Sequence, residues 1–162
     1  MNERPRRSAE QRLSDLGLVL PPAAAPVANY IAVSRMGGLL VVSGQLPFGR
    51  DGRIDPRHVG KLGGGVSPDD GRAAARACAL NVLAQVRAHL GSLDPVGRCL
   101  RLGGFINCVS DFKELAQVMN GASDLIVEVF GDRGRHARST IGVTQLPLDA
   151  AVEVEAMFEA AP

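Results

Sequence analysis

The chain has 162 residues, the length of one ordinary domain with a core large enough to fold without metal or disulfide staples. Eighteen basic against seventeen acidic side chains leave a formal charge of +1, so no strong field gathers nucleic acid or anionic lipid. Aromatic residues are 4% with no Trp, so stacking platforms for single strands are nearly absent.

The three cysteines, Cys78, Cys99 and Cys108, are odd in number and lack CxxC spacing, so neither a disulfide framework nor a zinc site is expected. "MNERPRRSAE" has no apolar signal-peptide core, and no run approaches a membrane span. A cytoplasmic location is expected, with no nucleic acid and no membrane as partners.

Residues 1–7 read as a tail. "SAEQRLSDLGL" offers Ser8 as N-cap, Gln11 three residues on, and Leu13, Leu16 and Leu18 for a buried edge. "LPPAAAPVA" is an extended linker, because each Pro pushes its predecessor out of the helical region. Two strands follow, Tyr30–Arg35 and Leu39–Gly44, joined as a hairpin by Met36-Gly37-Gly38. "FGRDGRIDPRHVGKLGGGVSPDDG" is a long loop, with room for a short strand near Lys61–Leu62.

Ser67-Pro68-Asp69-Asp70 starts a helix that runs to Gly91, its many alanines suited to lying close on a sheet and Arg72 and Arg76 on its wet side. "GRCLRLGGFINCVSDF" is a strand with a bend expected at Gly103-Gly104. Asp111 is a candidate cap for the next helix, which Asn120-Gly121 should interrupt, with Ser123 as a new cap. Two strands close the chain: Ser139–Gln145, with Arg138 at its mouth, and Val152–Phe158, which puts Val152, Val154 and Ala156 on one face and Glu153, Glu155 and Met157 on the other. The order β-β-α-β-α-β-β predicts an α+β fold, two helices covering one face of a mixed β-sheet. Residues 1–26 form the tail, short helix and linker, and 27–162 a single domain.

"NYIAVSRMGGLLVVSGQLP", "NGASDL", "HARSTIGV" and "LPLDAAVEVEAMF" resemble, in order, the blocks of the reactive-intermediate deaminase family, also called YjgF/RidA. The resemblance covers roughly residues 27 to 160, and the long loop and N-terminal extension are similar to those of a divergent subgroup. It implies a chorismate-mutase-like fold and a homotrimer with barrel-like packing of the sheets and three clefts between subunits. Each cleft would take a small carboxylate-bearing substrate, a 2-imino acid or its enamine tautomer, and hydrolyse it to a 2-oxo acid and ammonia with no cofactor. Carried over by position, the carboxylate-binding arginine is Arg138 and the water-positioning acid Glu153. The cleft tyrosine is Tyr30, the serine after the second strand Ser43, and the cleft asparagine Asn120. Thr140 stands where the family commonly has Cys, and Gly142 where it has Glu, which reshapes the cleft wall.

Each of these residues also has a plainer reading. An arginine at a strand end is usually a solvated charge, yet a planar guanidinium is well shaped to grip a carboxylate. Glu153 shares its face with Glu155, and two acids on one face usually meet solvent. Tyr30 could be a core filler, Ser43 a strand end, and Asn120 a turn residue. His58, His89 and His136 lack HxxxH spacing, so no metal site is expected, and "GKLGGGVS" lacks the GK[ST] order of a phosphate loop. Three functions compete. The first is a cofactor-independent enamine/imine deaminase. The second is a non-catalytic trimer that binds a small carboxylate, and the third an endoribonuclease or translation inhibitor, which the near-neutral charge disfavours.

Overall fold

The computed structural model describes residues 7–26 and 29–161. The expected tail lies outside these apart from Arg7, whose guanidinium pairs with Asp15 at 3.0 Å. The elements are α1 (Ala9–Asp15), β1 (Val33–Met36), β2 (Leu39–Gln45), α2 (Pro68–Leu90), β3 (Val96–Asn107), α3 (Leu115–Phe130), β4 (Ala137–Val143) and β5 (Val152–Ala160).

The last strand is the middle of the sheet. The strand order is β1-β2-β5-β3-β4, with β3 and β4 parallel and the other pairs antiparallel. Both β2 and β3 run antiparallel to β5 and hence parallel to each other, so α2 and α3 each carry a crossover between parallel strands. The alternation of β5 sends Val152, Val154, Ala156 and Phe158 into the core, all at most 2% exposed. Ala74, Ala75, Cys78, Ala79, Val82 and Val86 form the buried stripe of α2, and their small side chains let the helix lie close on the strands. The mixed α+β architecture matches the sequence expectation.

Helix α2 follows its signals: Ser67 Oγ accepts from Asp70 N–H, Pro68 opens the first turn, and Gly91 closes the helix in the left-handed region. Helix α1 docks on the same core through Ala9 and Leu13, with Ser8 as N-cap, but Leu16 is exposed rather than buried because the helix ends before it.

Elsewhere the boundaries move. Strand β1 begins at Val33, three residues after the predicted start, and Tyr30 lies before it, half exposed. Strand β4 begins at Ala137, so Arg138 sits inside the strand instead of at its mouth. The Lys61–Leu62 stretch forms only isolated bridges, Leu62 with Val66 and Cys108. Strand β3 does not bend at Gly103-Gly104, whose pairing with β4 and β5 is regular. The irregularities against β5 fall between Val96 and Arg98 and between Cys99 and Arg101. The two glycines make room instead: a Cβ at 103 would lie 2.6 Å from Glu155 Oε1, and one at 104 would lie 2.5 Å from Met119 Sδ.

Asp111 does not cap α3. Phe112 N–H closes a turn on the Val109 carbonyl, and Glu114 precedes the helix without a side-chain cap. Nor does Asn120-Gly121 interrupt α3, and Ser123 begins no new helix. A Cβ on Gly121 would lie 2.0 Å from the Arg72 carbonyl oxygen, so this glycine brings α2 and α3 into backbone contact. Arg72 and Arg76 are not simply solvated. They reach across to Asp124 and Glu128 of α3 at 2.6 and 2.7 Å.

Candidate active site

Two polar groups stand out. The first surrounds Glu153. Between the pairs Val42–Ala156 and Gln45–Val154, strand β2 carries two residues, Ser43 and Gly44, against the single Glu155 of β5. This bulge bends the edge and opens space beside Glu153. A Cβ on Gly44 would lie 1.9 Å from Glu153 Oε1, so glycine leaves the carboxylate its present place. Here a largely apolar pocket of about 470 Å³ opens, walled by Phe48, Leu148 and the linker at 24–26, with Tyr30 and Glu153 in its lining. Burial pushes the Glu153 carboxyl above its ordinary pKa, and the neighbouring Glu155 charge adds to this. Glu155 itself is held by Arg101 at 2.9 Å.

Ser43 does not line this pocket. Its N–H donates to the Ala32 carbonyl at 2.9 Å and its hydroxyl to the Ile31 carbonyl at 2.8 Å, tying the Tyr30 segment to β2. Gln85 of α2 does the same for the linker, donating to the Ala24 carbonyl at 2.7 Å.

The second group surrounds Arg138. Its Nη1 donates to Asn120 Oδ1 at 2.9 Å and to Ser123 Oγ at 3.0 Å, and its Nη2 to the Ala116 carbonyl at 3.4 Å. These acceptors recur along one face of α3 at the spacing of successive turns. Three of the five guanidinium N–H groups are thereby used. Among the described residues Nε–H and one Nη2–H have no partner, and two such donors can grip a carboxylate side by side. Behind Ser123 stands His136, its Nε2 at 3.0 Å from Ser123 Oγ and its Nδ1 at 2.6 Å from the Gly134 carbonyl.

Thr140 lies on the same side of β4 as Arg138, its hydroxyl oxygen buried without a partner among the described residues. Gly142 follows on that side, where a Cβ would lie 2.9 Å from Cys108 Sγ, so the thiol takes up the room of a larger side chain.

The two groups sit on opposite faces of the sheet. Leu102 of β3 pairs with both Arg138 and Ala156, which fixes Arg138 on the helix side, whereas Glu153 pairs with Phe105 on the other side. Arg138 is thus brought to Asn120, and Glu153 to Tyr30, but the two pairs are not brought to each other within one chain. Sequence reasoning missed Ser123 and His136. The available signals were Ser123 three residues after Asn120 on one helix face, and His136 two residues before Arg138, just ahead of β4.

Among the described residues no group of three or more His, Cys, Asp or Glu is placed to hold a metal ion, and no helix is long and apolar enough to cross a membrane. His58 is buried in the long loop, and burial lowers its pKa.

A five-stranded mixed sheet with two crossover helices is the fold of YjgF-like proteins. The family model for YjgF/chorismate mutase-like proteins, whose name carries an endoribonuclease label, matches residues 10–159, and the chain belongs to this family. Protein TCP17 of Trypanosoma cruzi is 50% identical over 148 residues, covering 91% of each chain. The crystal structure of Atu1372 from Agrobacterium tumefaciens, a protein of unknown function, is 42% identical with a TM-score of 0.86, over 96% of this chain and 93% of that one. E. coli TdcF, solved with bound serine, shares the fold at 24% identity and a TM-score of 0.63, over 87% of this chain and 94% of that one.

Proposed function

We propose that the chain is a cofactor-independent hydrolase of 2-imino acids and their enamine tautomers, working as a homotrimer. The observation that carries this reading is the placement of Arg138 and Glu153 on opposite faces of one sheet. A carboxylate grip and a desolvated acid–base group can act on one small molecule only if a second copy supplies one of them. Closed rotational symmetry, with the β4 edge that carries Arg138 in one copy meeting the Glu153 face of the next, satisfies that requirement. The serine held by TdcF is of the same amino-acid size as the proposed ligand.

In the proposed reaction Arg138 holds the substrate carboxylate and so orients the adjacent C=N carbon. Glu153, ionised, takes a proton from water as the oxygen bonds to that carbon and passes it to the imine nitrogen, which gives up its half of the C=N π bond. The resulting carbinolamine collapses. Glu153 takes the hydroxyl proton as the C=O bond forms and the C–N bond breaks, hands it to the departing amine, and ammonia and a 2-oxo acid leave. A raised pKa suits a carboxyl that must both accept and give a proton near neutrality.

The test is ammonia release from imino acids generated in situ by an amino-acid oxidase, comparing the wild type with Arg138→Ala. Accelerated release by the wild type alone supports the reading. Binding of 2-oxo acids without any acceleration would replace it by the non-catalytic carboxylate-binding reading. Sedimentation as a monomer at micromolar concentration would remove the shared cleft.

A further inference from the structure

We propose that Ser123 and His136 are positioning residues that lock the Arg138 guanidinium so that its carboxylate-gripping edge is presented before any ligand arrives. This rests on the reading of Arg138 given above and adds two residues to it.

The hydrogen bonds run in one direction. The Gly134 carbonyl can only accept, so at 2.6 Å it requires the proton on His136 Nδ1. Burial, and after it the Arg138 charge, lower the His136 pKa, while the Gly134 bond opposes them. This favours the neutral ring, and with the proton on Nδ1 the Nε2 lone pair accepts. Ser123 therefore donates its hydroxyl proton to Nε2 across 3.0 Å. That frees the lone pairs of Ser123 Oγ to accept from Arg138 Nη1, also at 3.0 Å. The chain of donation is Arg138 to Ser123 to His136 to Gly134.

The consequence is geometric. A single acceptor on Nη1 would let the guanidinium swing about its last bond. Asn120 Oδ1 at 2.9 Å and Ser123 Oγ together use both Nη1 hydrogens, and the Ala116 carbonyl takes one from Nη2. The plane is then fixed against α3, and Nε–H and one Nη2–H are left without a partner among the described residues. A solvated arginine has to order its side chain on binding, whereas this one has already done so. Ser123 hydrogen-bonded to a histidine could also suggest a nucleophile. Its Oγ, however, accepts from Arg138 Nη1 at 3.0 Å, so the hydroxyl is engaged with a cation and holding the arginine is the role the geometry supports.

The experiment needs one readout that does not depend on ligand. Rotation of the Arg138 guanidinium is followed by NMR on protein labelled with ¹³C,¹⁵N-arginine, in the wild type, Ser123→Ala, Ser123→Thr and His136→Leu. Slow rotation in the wild type and Ser123→Thr, faster in Ser123→Ala and His136→Leu, is expected. Titration with a 2-oxo acid should show about tenfold weaker binding for the two disrupted variants. A carboxamide analogue lacking the charge should not distinguish the four proteins. Unchanged rotation in Ser123→Ala overturns the proposal, whatever the protein binds. Freed rotation without 2-oxo acid binding by the wild type would uphold the lock and defeat the deaminase reading instead. Failure of Ser123→Thr to keep rotation slow would also count against the hydroxyl.

Discussion

Gly44 and Glu153 are in contact across the β2–β5 bulge so tightly that no side chain can be added between them. The ideal Cβ position at 44 lies 1.9 Å from Glu153 Oε1 and 2.8 Å from its carboxyl carbon. Gly44→Ala should therefore push the Glu153 side chain out of its present place rather than unfold the sheet, because the obstacle is the far end of a flexible side chain. Turnover of an imino acid should fall by more than tenfold, with thermal stability changed by only about 1 kcal/mol. Steady-state ammonia release beside a thermal melt separates these effects. Undiminished turnover would show that the Glu153 carboxyl has no fixed station in the reaction.

Glu153 also makes a prediction about pH. Burial and Glu155 raise its carboxyl pKa in the folded chain, so the folded form keeps the proton to higher pH than the unfolded form does. Both forms are protonated below the ordinary glutamate range, and there the residue is neutral and costs nothing extra. As pH rises through the folded pKa, the wild type loses stability by ionising a desolvated group. Glu153→Gln stays neutral throughout. It should match the wild type near pH 4 and be the more stable of the two at pH 8. Urea unfolding at both pH values, at matched protein concentration, reads the difference. A wild type that is more stable than Glu153→Gln at pH 8 would mean the carboxylate has a stabilising partner.

Gly121 carries a stability prediction of a different kind. In a helix interior, alanine normally improves on glycine by about 1 kcal/mol. Here the added methyl would lie 2.0 Å from the Arg72 carbonyl oxygen, which is backbone and cannot turn aside. Gly121→Ala must spread α2 from α3, strain the Arg72–Asp124 and Arg76–Glu128 pairs, and lower stability by about 2 kcal/mol. A denaturant midpoint at or above that of the wild type would contradict the close approach.

The same glycine shows what could be read in the sequence and what could not. Strand β5 was legible because its alternation is a local property, and the capping of α2 by Ser67, Pro68 and Gly91 is local as well. Asn120-Gly121 and Gly103-Gly104 looked like breaks because glycine weakens helices and strands locally. Their reason lies in Arg72, Met119 and Glu155, far away in the chain. For the candidate site, the block resemblance pointed to Arg138 and Glu153. That they face opposite sides of the sheet follows only from the register of β3 with both β4 and β5. Ser123 was legible only as a cap, the simplest reading of a helical serine after Asn-Gly, because its partners come from β4 and the turn before it.

The last prediction separates grip from chemistry. Arg138 spends three donors on α3 and keeps two for a ligand, so its task depends on a planar group with five N–H bonds. Lysine has three donors on a rotating ammonium. In Arg138→Lys these would be drawn to Asn120, Ser123 and the Ala116 carbonyl, leaving little for a carboxylate. Affinity for a 2-oxo acid should fall by about 2 kcal/mol or more, as when a partner is removed from a desolvated charge-assisted pair. Glu153→Gln keeps shape and polarity but cannot take a proton from water. It should bind the 2-oxo acid about as well as the wild type, or better for want of charge repulsion, while turnover falls by about a hundredfold or more. Calorimetric titration of both variants, beside ammonia release, gives the two quantities separately. If Arg138→Lys binds like the wild type, the arginine is only a tie between β4 and α3, and the carboxylate must be held elsewhere.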